Sequence, residues 1–404
     1  MNRFKRTMIG LGVAAALSLG TAQAQVSDGI IKIGVLSDMS SLYTDLAGAG
    51  SVVAVKLAVE DSGIEKRGYK VEVVSADHQN KADIGSAVAS KWYDAEKVDV
   101  IVDTPNSGVA LAVSGITKDK GKAFLASGPG TSDLTGKSCS PNTVHWAYDT
   151  WMLANGTGTA ITKAGGDTWF FITADYAFGQ ALERDTTAAV LKNGGKVIGG
   201  VKAPINNQDF SSFLLQAQSS KAKIIGLANA GGDTTNSIKQ AAEFGIVKGG
   251  QKLAGLLVFL TDIHSLGLQT AQGLTFTETF YWDQNDASRA FSKRFAALDK
   301  GIHPTMVHAG VYSSVLHYLK AVEALKSDDG TKVVAKMKEM ATDDPLFGKG
   351  TIRADGRKIH PAFLVQVKTP AESKYPWDYY KIVATIPADQ AFRPMADGGC
   401  SLVK

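Results

Sequence analysis

The chain has 404 residues, of which 43 are Lys or Arg and 39 are Asp or Glu, so its formal net charge is +4. A balance this close to neutral, without a basic cluster interleaved with aromatic residues, gives no indication of nucleic-acid binding. The length exceeds what one hydrophobic core usually serves, and two lobes are therefore the default expectation.

The first 24 residues have the pattern of a cleavable secretory signal peptide. A basic start, a short apolar stretch over 8–19 and the small-x-small sequence Ala22-Gln23-Ala24 follow one another. The apolar stretch is too short to anchor the chain, and no later run reaches the ~20 apolar residues of a spanning helix. We expect a soluble periplasmic protein that is a monomer and is not inserted in the membrane.

Apolar β-branched runs alternate with amphipathic helical stretches in the next part of the chain. Predicted strands cover 30–36, 69–75, 98–103 and 123–126, and predicted helices cover 50–61, 83–93 and 109–119. Strands that alternate with helices in this way form a parallel sheet with helices on both faces.

The same alternation restarts after a stretch rich in Gly, Ser and Pro at 127–142. Predicted strands cover 168–173, 196–201, 224–228 and 253–259, and predicted helices cover 178–191, 210–218, 234–244 and 262–271. Asp209 and Asp233 are well placed as N-caps of two of these helices. The chain therefore contains two similar doubly wound units.

Beyond residue 274 the pattern changes again, to helices at 288–298 and 306–325 and to strand pieces at 349–353 and 363–367. Such additions predict that the chain crosses between the lobes more than once. The predicted fold class is α/β, with two doubly wound parallel-sheet lobes joined by multiple crossovers. We assign 29–147 plus 275–355 to lobe 1, 148–274 plus 356–390 to lobe 2, and 391–404 to a C-terminal tail.

Motifs for catalysis or for a bound cofactor are missing from the sequence. Gly48-Ala49-Gly50 resembles the start of a dinucleotide fingerprint, but Val53 stands where the third glycine belongs, which favours a simple helix entry. The histidines at 303, 308 and 317 lack the spacing and the Glu partner of a helical zinc site. We expect a protein that is not an enzyme and has neither a cofactor nor a metal.

Polar, hydroxyl-rich loops follow the carboxyl ends of the predicted strands, at 37–43, 103–107, 127–132, 174–179 and 229–232. Doubly wound sheets bind their ligands at these ends. Hydroxyl groups together with free N–H groups at helix starts favour a small anion such as a carboxylate. The recurrence of such loops predicts a cleft for a small carboxylate ligand.

Four segments have a more specific pattern: IKIGVL at 31–36, SGVALAV at 107–113, SGPGTSDLT at 127–135 and DYAFG at 175–179. They resemble the leucine/isoleucine/valine-binding type of periplasmic solute-binding protein, a type I periplasmic binding protein of the branched-chain amino acid ABC transporter family. The resemblance implies the soluble substrate-binding component of an ABC importer, which captures an aromatic acid, a 2-oxo acid or an amino acid between its lobes and delivers it to a membrane permease. The alternative is a periplasmic sensor subunit that presents its closed form to a membrane receptor.

The resemblance also implies which residues contact the ligand. A hydroxyl on the third strand's loop and groups on the fourth strand's loop would hold the carboxylate, which here means Ser107, Pro129 and Thr131. The second lobe would contribute the residues Tyr176, Phe178 and either Asn229 or Ala230.

Amino-acid binders of this family present a Glu from a loop of the second lobe to the ligand's ammonium group. Here the loop at 258–262 carries no Glu. A buried ammonium group without an anionic partner costs several kcal/mol. Either Asp103, Asp175 or Asp262 replaces the Glu, or the ligand has no ammonium group. The aromatic residues that could sandwich a ring are Tyr43, Tyr176, Phe178 and Phe259.

The sequence contains two cysteines, Cys139 and Cys400. In an oxidising compartment nothing keeps such a pair reduced, and each has only the other as a partner within the chain. We predict a disulfide between them.

Overall fold

The computed structural model of the protein describes residues 26–403, and the predicted signal peptide lies outside this range. A five-stranded parallel sheet forms the first lobe, with the strand order β2-β1-β3-β4-β5. Its strands are β1 (Ile30–Ser37), β2 (Lys70–Asp77), β3 (Val100–Asp103), β4 (Ala123–Ala126) and β5 (Thr143–His145). The helices between them are α1 (Gly48–Ser62), α2 (Ala82–Asp94) and α3 (Ser107–Asp119).

Two short helices, α4 (Thr150–Leu153) and α5 (Thr159–Lys163), follow the first sheet, with a π-helical turn between them. They lead into the second lobe, whose four-stranded parallel sheet has the order β7-β6-β8-β9. Its strands are β6 (Thr168–Ala174), β7 (Lys196–Ala203), β8 (Ile224–Ala228) and β9 (Lys252–Gly255). The accompanying helices are α6 (Ala177–Lys192), α7 (Ser211–Ser219), α8 (Gly232–Glu243), α9 (Leu260–Leu266) and α10 (Leu268–Ala271).

The remaining elements cross between the lobes and complete them. In chain order they are β10 (Thr275–Glu278), α11 (Asp286–Leu298), α12 (Met306–Leu325), α13 (Gly330–Glu339), β11 (Thr342–Asp344), β12 (Gly348–Ile352), β13 (Lys358–Ile359), β14 (Ala362–Val367), β15 (Tyr380–Ile386) and α14 (Ala388–Ala391). Strands β10, β14 and β15 form an antiparallel sheet, and β11, β12 and β13 form another. The predicted fold class, two parallel-sheet lobes joined by multiple crossovers, is confirmed.

Packing explains why α12 is apolar nearly all round. Helix α12 lies against α1 and against strands β3 and β4, and its buried residues run from Met306 to Val322. A helix that is covered on most sides loses the polar face of an ordinary surface helix. Across the second lobe, Phe276 of β10 shares a core with Ile225 of β8 and Tyr380 of β15. No helix in the described range 26–403 is long and apolar enough to cross a membrane.

Three local predictions for the second lobe are wrong. The strand predicted over 253–259 ends at Gly255, and the helix predicted over 262–271 is divided at Gly267, where φ is +75°. The N-cap positions themselves are occupied by Phe210 for α7 and by Gly231 for α8, although Oδ1 of Asp209 accepts the N–H of Ser211, the first residue of α7, at 2.8 Å. The carboxylate of Asp233 instead accepts hydrogen bonds from the backbone N–H groups at 206 and 207. Long-range loop contacts outweigh the local capping preference here.

The predicted disulfide between Cys139 and Cys400 is present, with Cα atoms 5.6 Å apart. It attaches the C-terminal tail to the segment that follows β4. Arg393 in the tail also donates a hydrogen bond from Nη2 to the carbonyl oxygen of Ser132, at 3.0 Å. The tail is thereby held against the segment between β4 and β5.

Candidate ligand-binding site

Loops at the carboxyl ends of the parallel strands of both lobes meet around a small cavity. The loops that line it follow β1, β3, β4 and β5 in the first lobe and β6, β8 and β9 in the second. In each sheet the strand order reverses beside β1 or β6. This is the position at which doubly wound sheets form a crevice. The residues that line the cavity are Tyr43, Leu46, Pro105, Gly128, Tyr148, Tyr176, Phe178, Ala230, Leu257 and Phe259.

A hydrogen bond between two tyrosines joins the lobes at this cavity. The hydroxyl oxygens of Tyr43, after β1, and Tyr176, after β6, are 2.5 Å apart. The backbone of Tyr43 is held by the buried carboxylate of Asp38, which accepts its N–H at 2.8 Å and also accepts the N–H of Ser41 at 2.9 Å. The loop after β1 is therefore shaped to present Tyr43 to the other lobe.

The loop after β4 is fixed through three consecutive carbonyl groups. The carbonyl of Gly128 accepts from the Tyr148 hydroxyl at 2.5 Å, that of Pro129 accepts from Nε2 of His145 at 2.7 Å, and that of Gly130 accepts from the backbone N–H of Thr150 at 2.7 Å. The N–H groups of the two glycines have no acceptor among residues 26–403. The fixed carbonyls therefore hold the two free N–H groups in place, as in sites that bind anions in other proteins.

The two hydroxyl residues predicted for the carboxylate are adjacent in space. The backbone N–H of Thr131 donates to Oγ of Ser107 at 3.2 Å, and Oγ1 of Thr131 accepts the N–H of Asp133 at 3.3 Å. Both side chains are fully buried. Ser107 starts α3, and Asn106 caps that helix by accepting the N–H groups of residues 108 and 109. These hydroxyls lie in loops that form the cavity but do not themselves line it.

The second lobe supplies much of the cavity's apolar surface. Phe178, in the first turn of α6, lies against Gly130 so closely that a Cβ on that glycine would be 2.7 Å from the ring. Phe259 packs its ring edge-on against Tyr148, with ring centroids 6.1 Å apart. Glycine at 130 therefore permits the loops of the two lobes to touch.

Asn229 is turned away from the cavity. Its side-chain oxygen accepts from the hydroxyl of Thr234 at 2.8 Å, and its amide donates to Oγ of Ser237 at 3.1 Å. These bonds attach the end of β8 to the start of α8. The neighbouring Ala230 lines the cavity instead.

No charged side chain lines the cavity, in contrast with the three aspartates considered from the sequence. Asp175 is exposed and lies 3.5 Å from Lys202. Asp262 caps α9, where its Oδ2 accepts the N–H of Phe259 at 2.9 Å, and burial raises its pKa to about 7. Asp103 accepts a hydrogen bond from Ser37 at 2.7 Å, and burial raises its pKa to about 6. None of the three side chains lines the cavity, but Oδ1 of Asp103, which has no hydrogen-bond partner among residues 26–403, lies against Gly128 in the lining.

Sequence reasoning missed Leu46, Pro105, Gly128, Tyr148 and Leu257. Two of them, Pro105 and Gly128, stand inside loops that the sequence singled out. Tyr148 follows β5, a strand of three residues that is too short to produce a periodic signal. Its role depends on the crossover between the lobes, which no local pattern reveals.

The family model for periplasmic binding proteins matches residues 30–374. The chain belongs to this family. A crystal structure of a periplasmic binding protein from Burkholderia mallei is 52% identical, with a TM-score of 0.91 over 93% of this chain and 100% of that chain. A branched-chain amino acid ABC transporter periplasmic ligand-binding protein from Burkholderia xenovorans is 40% identical, with a TM-score of 0.82 and coverage of 93% and 100%.

The same fold occurs in a solute-binding protein of an ABC transporter from R. palustris, whose structure was solved in complex with benzoate. That protein is 22% identical, with a TM-score of 0.80 over 92% of this chain and 100% of that one. The predicted resemblance to periplasmic binding proteins of the branched-chain amino acid transporter type is confirmed. The family is one of solute-binding proteins of transporters rather than of enzymes. Within residues 26–403 of this periplasmic binding protein, no group of three or more His, Cys, Asp and Glu side chains is placed to hold a metal ion.

Proposed function

We propose that this periplasmic binding protein captures a small carboxylate with an apolar or aromatic body and delivers it to the permease of an ABC importer. The observation that carries the proposal is the composition of the cavity, which is formed by loops of both lobes and lined by five aromatic side chains without a charged one. Pockets of this kind bury an apolar ligand and orient it with a few polar groups.

The carboxylate would be held by the loops after β3 and β4. We assign this role to Ser107 and Thr131 and to the free N–H groups of Gly128 and Gly130, which flank Pro129; Pro129 itself has no N–H to donate. The fixed carbonyls of this loop keep those N–H groups in place without ligand, so that binding needs little reordering.

The body of the ligand would lie among Tyr43, Tyr176, Phe178, Ala230 and Phe259, which line the cavity. Because no carboxylate lines it, we place aromatic and 2-oxo acids ahead of leucine and valine. The benzoate complex of the R. palustris protein is consistent with this order.

Residues 1–24 would direct the chain to the periplasm and be removed there, and the mature protein would act as a monomer.

The lobe boundaries at 147, 274 and 355 also stay a prediction. In the structure β10 pairs with β14 and contributes to the core of the second lobe. Binding would close the lobes, because the ligand contacts both of them at once.

Two measurements on the same sample test the proposal. In a thermal-shift panel of aromatic acids, 2-oxo acids and amino acids, a ligand at 100 times its Kd adds ~2.7 kcal/mol to the stability. Small-angle scattering with the best acid should then show a smaller radius of gyration. Tight binding of leucine without a response to any aromatic or 2-oxo acid would contradict the ligand class. An unchanged radius at saturation would contradict closure.

A further inference from the structure

We propose that Tyr43 and Tyr176 together form a subsite that donates a hydrogen bond to an oxygen group which the ligand carries outside its carboxylate. The inference rests on the proposed function and narrows the ligand to hydroxy- or oxo-substituted acids. The two residues would thus determine specificity, and would not only contribute apolar surface.

The tyrosine pair has one more hydroxyl hydrogen than its own hydrogen bond uses. Two tyrosine hydroxyls bring two hydrogens, and the bond between Tyr43 and Tyr176 uses one of them. Neither hydroxyl has another hydrogen-bond partner among residues 26–403. One hydrogen of the pair is therefore unused; Tyr43 is buried and Tyr176 is partly buried.

No other lining residue accepts a hydrogen bond from the pair in this structure, and none offers a second side-chain donor. The third tyrosine, Tyr148, already donates its hydrogen to the carbonyl of Gly128, and its oxygen is left as an acceptor. The other seven lining residues are glycine or have hydrocarbon side chains. The tyrosine pair is therefore the one side-chain donor that the cavity lining offers to a ligand.

The pair also stays protonated. Burial is the largest cause that raises the pKa of both Tyr43 and Tyr176. The two hydroxyls therefore act as neutral hydrogen-bond donors over the whole physiological pH range.

An unpaired donor in an apolar site makes the site selective. A ligand that lacks an acceptor leaves the hydroxyl hydrogen unbonded, which costs free energy. Sites built to bond a substrate oxygen discriminate strongly against analogues without it. We expect the oxygen-bearing member of a matched pair of acids to bind at least tenfold more tightly.

Calorimetry with matched acids tests this inference. The probes are benzoate against 3- and 4-hydroxybenzoate, and 4-methylpentanoate against 4-methyl-2-oxopentanoate. They are titrated into the wild-type protein, the double variant Tyr43→Phe/Tyr176→Phe, and the control Tyr375→Phe, which removes an exposed hydroxyl bonded to Asp283 on the surface. The double variant should bind the unsubstituted acids within threefold of wild type and lose the preference for the substituted ones. The control should keep it.

Two results would overturn the inference. One is a wild-type protein without preference within either pair of acids. The other is a double variant that loses affinity equally for both members, which would mean that the hydroxyls serve the carboxylate or lobe closure. If none of the acids binds, the proposed ligand class itself fails and this inference falls with it. Unchanged far-UV circular dichroism of the variants confirms that they fold.

Discussion

Glu278, the last residue of β10, is a carboxyl group in the apolar core of the second lobe. It is 2% exposed, and its Oε2 has no hydrogen-bond partner among residues 26–403. Burial, followed by the neighbouring charge of Asp262, raises its pKa well above the ordinary value. An unpaired buried carboxylate is costly, so burial favours the neutral form of this group.

This burial predicts a pH dependence of stability. Folding raises the pKa of Glu278. The stability that the neutral carboxyl group allows is therefore fully present below the pKa that Glu278 has in the unfolded chain, and it is lost as the pH rises through the pKa that Glu278 has in the folded protein. Glu278→Gln should therefore be more stable than wild type at pH 8, by at least ~1.4 kcal/mol, the equivalent of one pKa unit. Urea denaturation at pH 5 and pH 8 measures the difference. The exposed Glu243→Gln is the control, and an equal slope in all three proteins would contradict the prediction.

A second prediction concerns the two hydroxyl residues to which we assign the ligand's carboxylate, Ser107 and Thr131. Thr131→Ala and Ser107→Ala each remove a buried hydroxyl where we propose that the ligand's carboxylate binds. Each should weaken binding by about 1.5–3 kcal/mol, the range for hydrogen bonds to a charged group. Calorimetry with the acid found in the panel measures this loss. Wild-type affinity in both variants would place the carboxylate elsewhere.

Among the elements, α6 connects the lobes through its polar side as well as through Phe178. Asp185 of α6 is buried, and its Oδ2 accepts from the hydroxyl of Ser132 at 2.7 Å and from that of Thr150 at 2.6 Å. The N–H of Ser132 in turn donates to Oγ1 of Thr150 at 3.0 Å. One helix of the second lobe thus holds the residue that directly follows Thr131 in the first.

Asp185→Asn tests this connection. The substitution keeps the size of the side chain but removes the charge that strengthens two buried hydrogen bonds, and should cost about 1.5–3 kcal/mol of stability. Chemical denaturation gives the value. Asp119→Asn, at an exposed position in α3, should stay within ~0.5 kcal/mol of wild type. Equal stability of the two variants would mean that the cluster contributes nothing.

At the scale of the whole molecule, the disulfide closes a loop over a sequence separation of 261 residues. In the loop-entropy model a bridge of this span contributes up to ~5 kcal/mol, an upper bound that residual structure in the unfolded chain reduces. Cys139→Ser/Cys400→Ser should therefore unfold at a lower urea concentration than wild type. Reductant should shift wild type toward the variant and leave the variant unchanged. Coincident curves for oxidised wild type and variant would contradict a stabilising role.

The sequence by itself determined the features that depend on local periodicity or on counting. Strands β4 and β8 and helix α12 were predicted with the bounds that the structure has, because their apolar patterns are short and continuous or regularly spaced. The disulfide followed from the presence of two cysteines. The polar loops after the strands were recognisable because Gly, Ser and Asn interrupt those patterns.

Tertiary structure alone decided the features that depend on distant contacts. Strand β15 is mostly exposed and has no clear alternation of its own, and it forms by pairing with β14. Tyr148 reaches the cavity because the chain crosses between the lobes just after β5. The pKa of Glu278 is raised because the fold buries it beside Asp262. Asn229 bonds to α8, so that Ala230 lines the cavity instead. In each case the deciding free energy comes from packing and hydrogen bonds between segments whose proximity only the folded chain establishes.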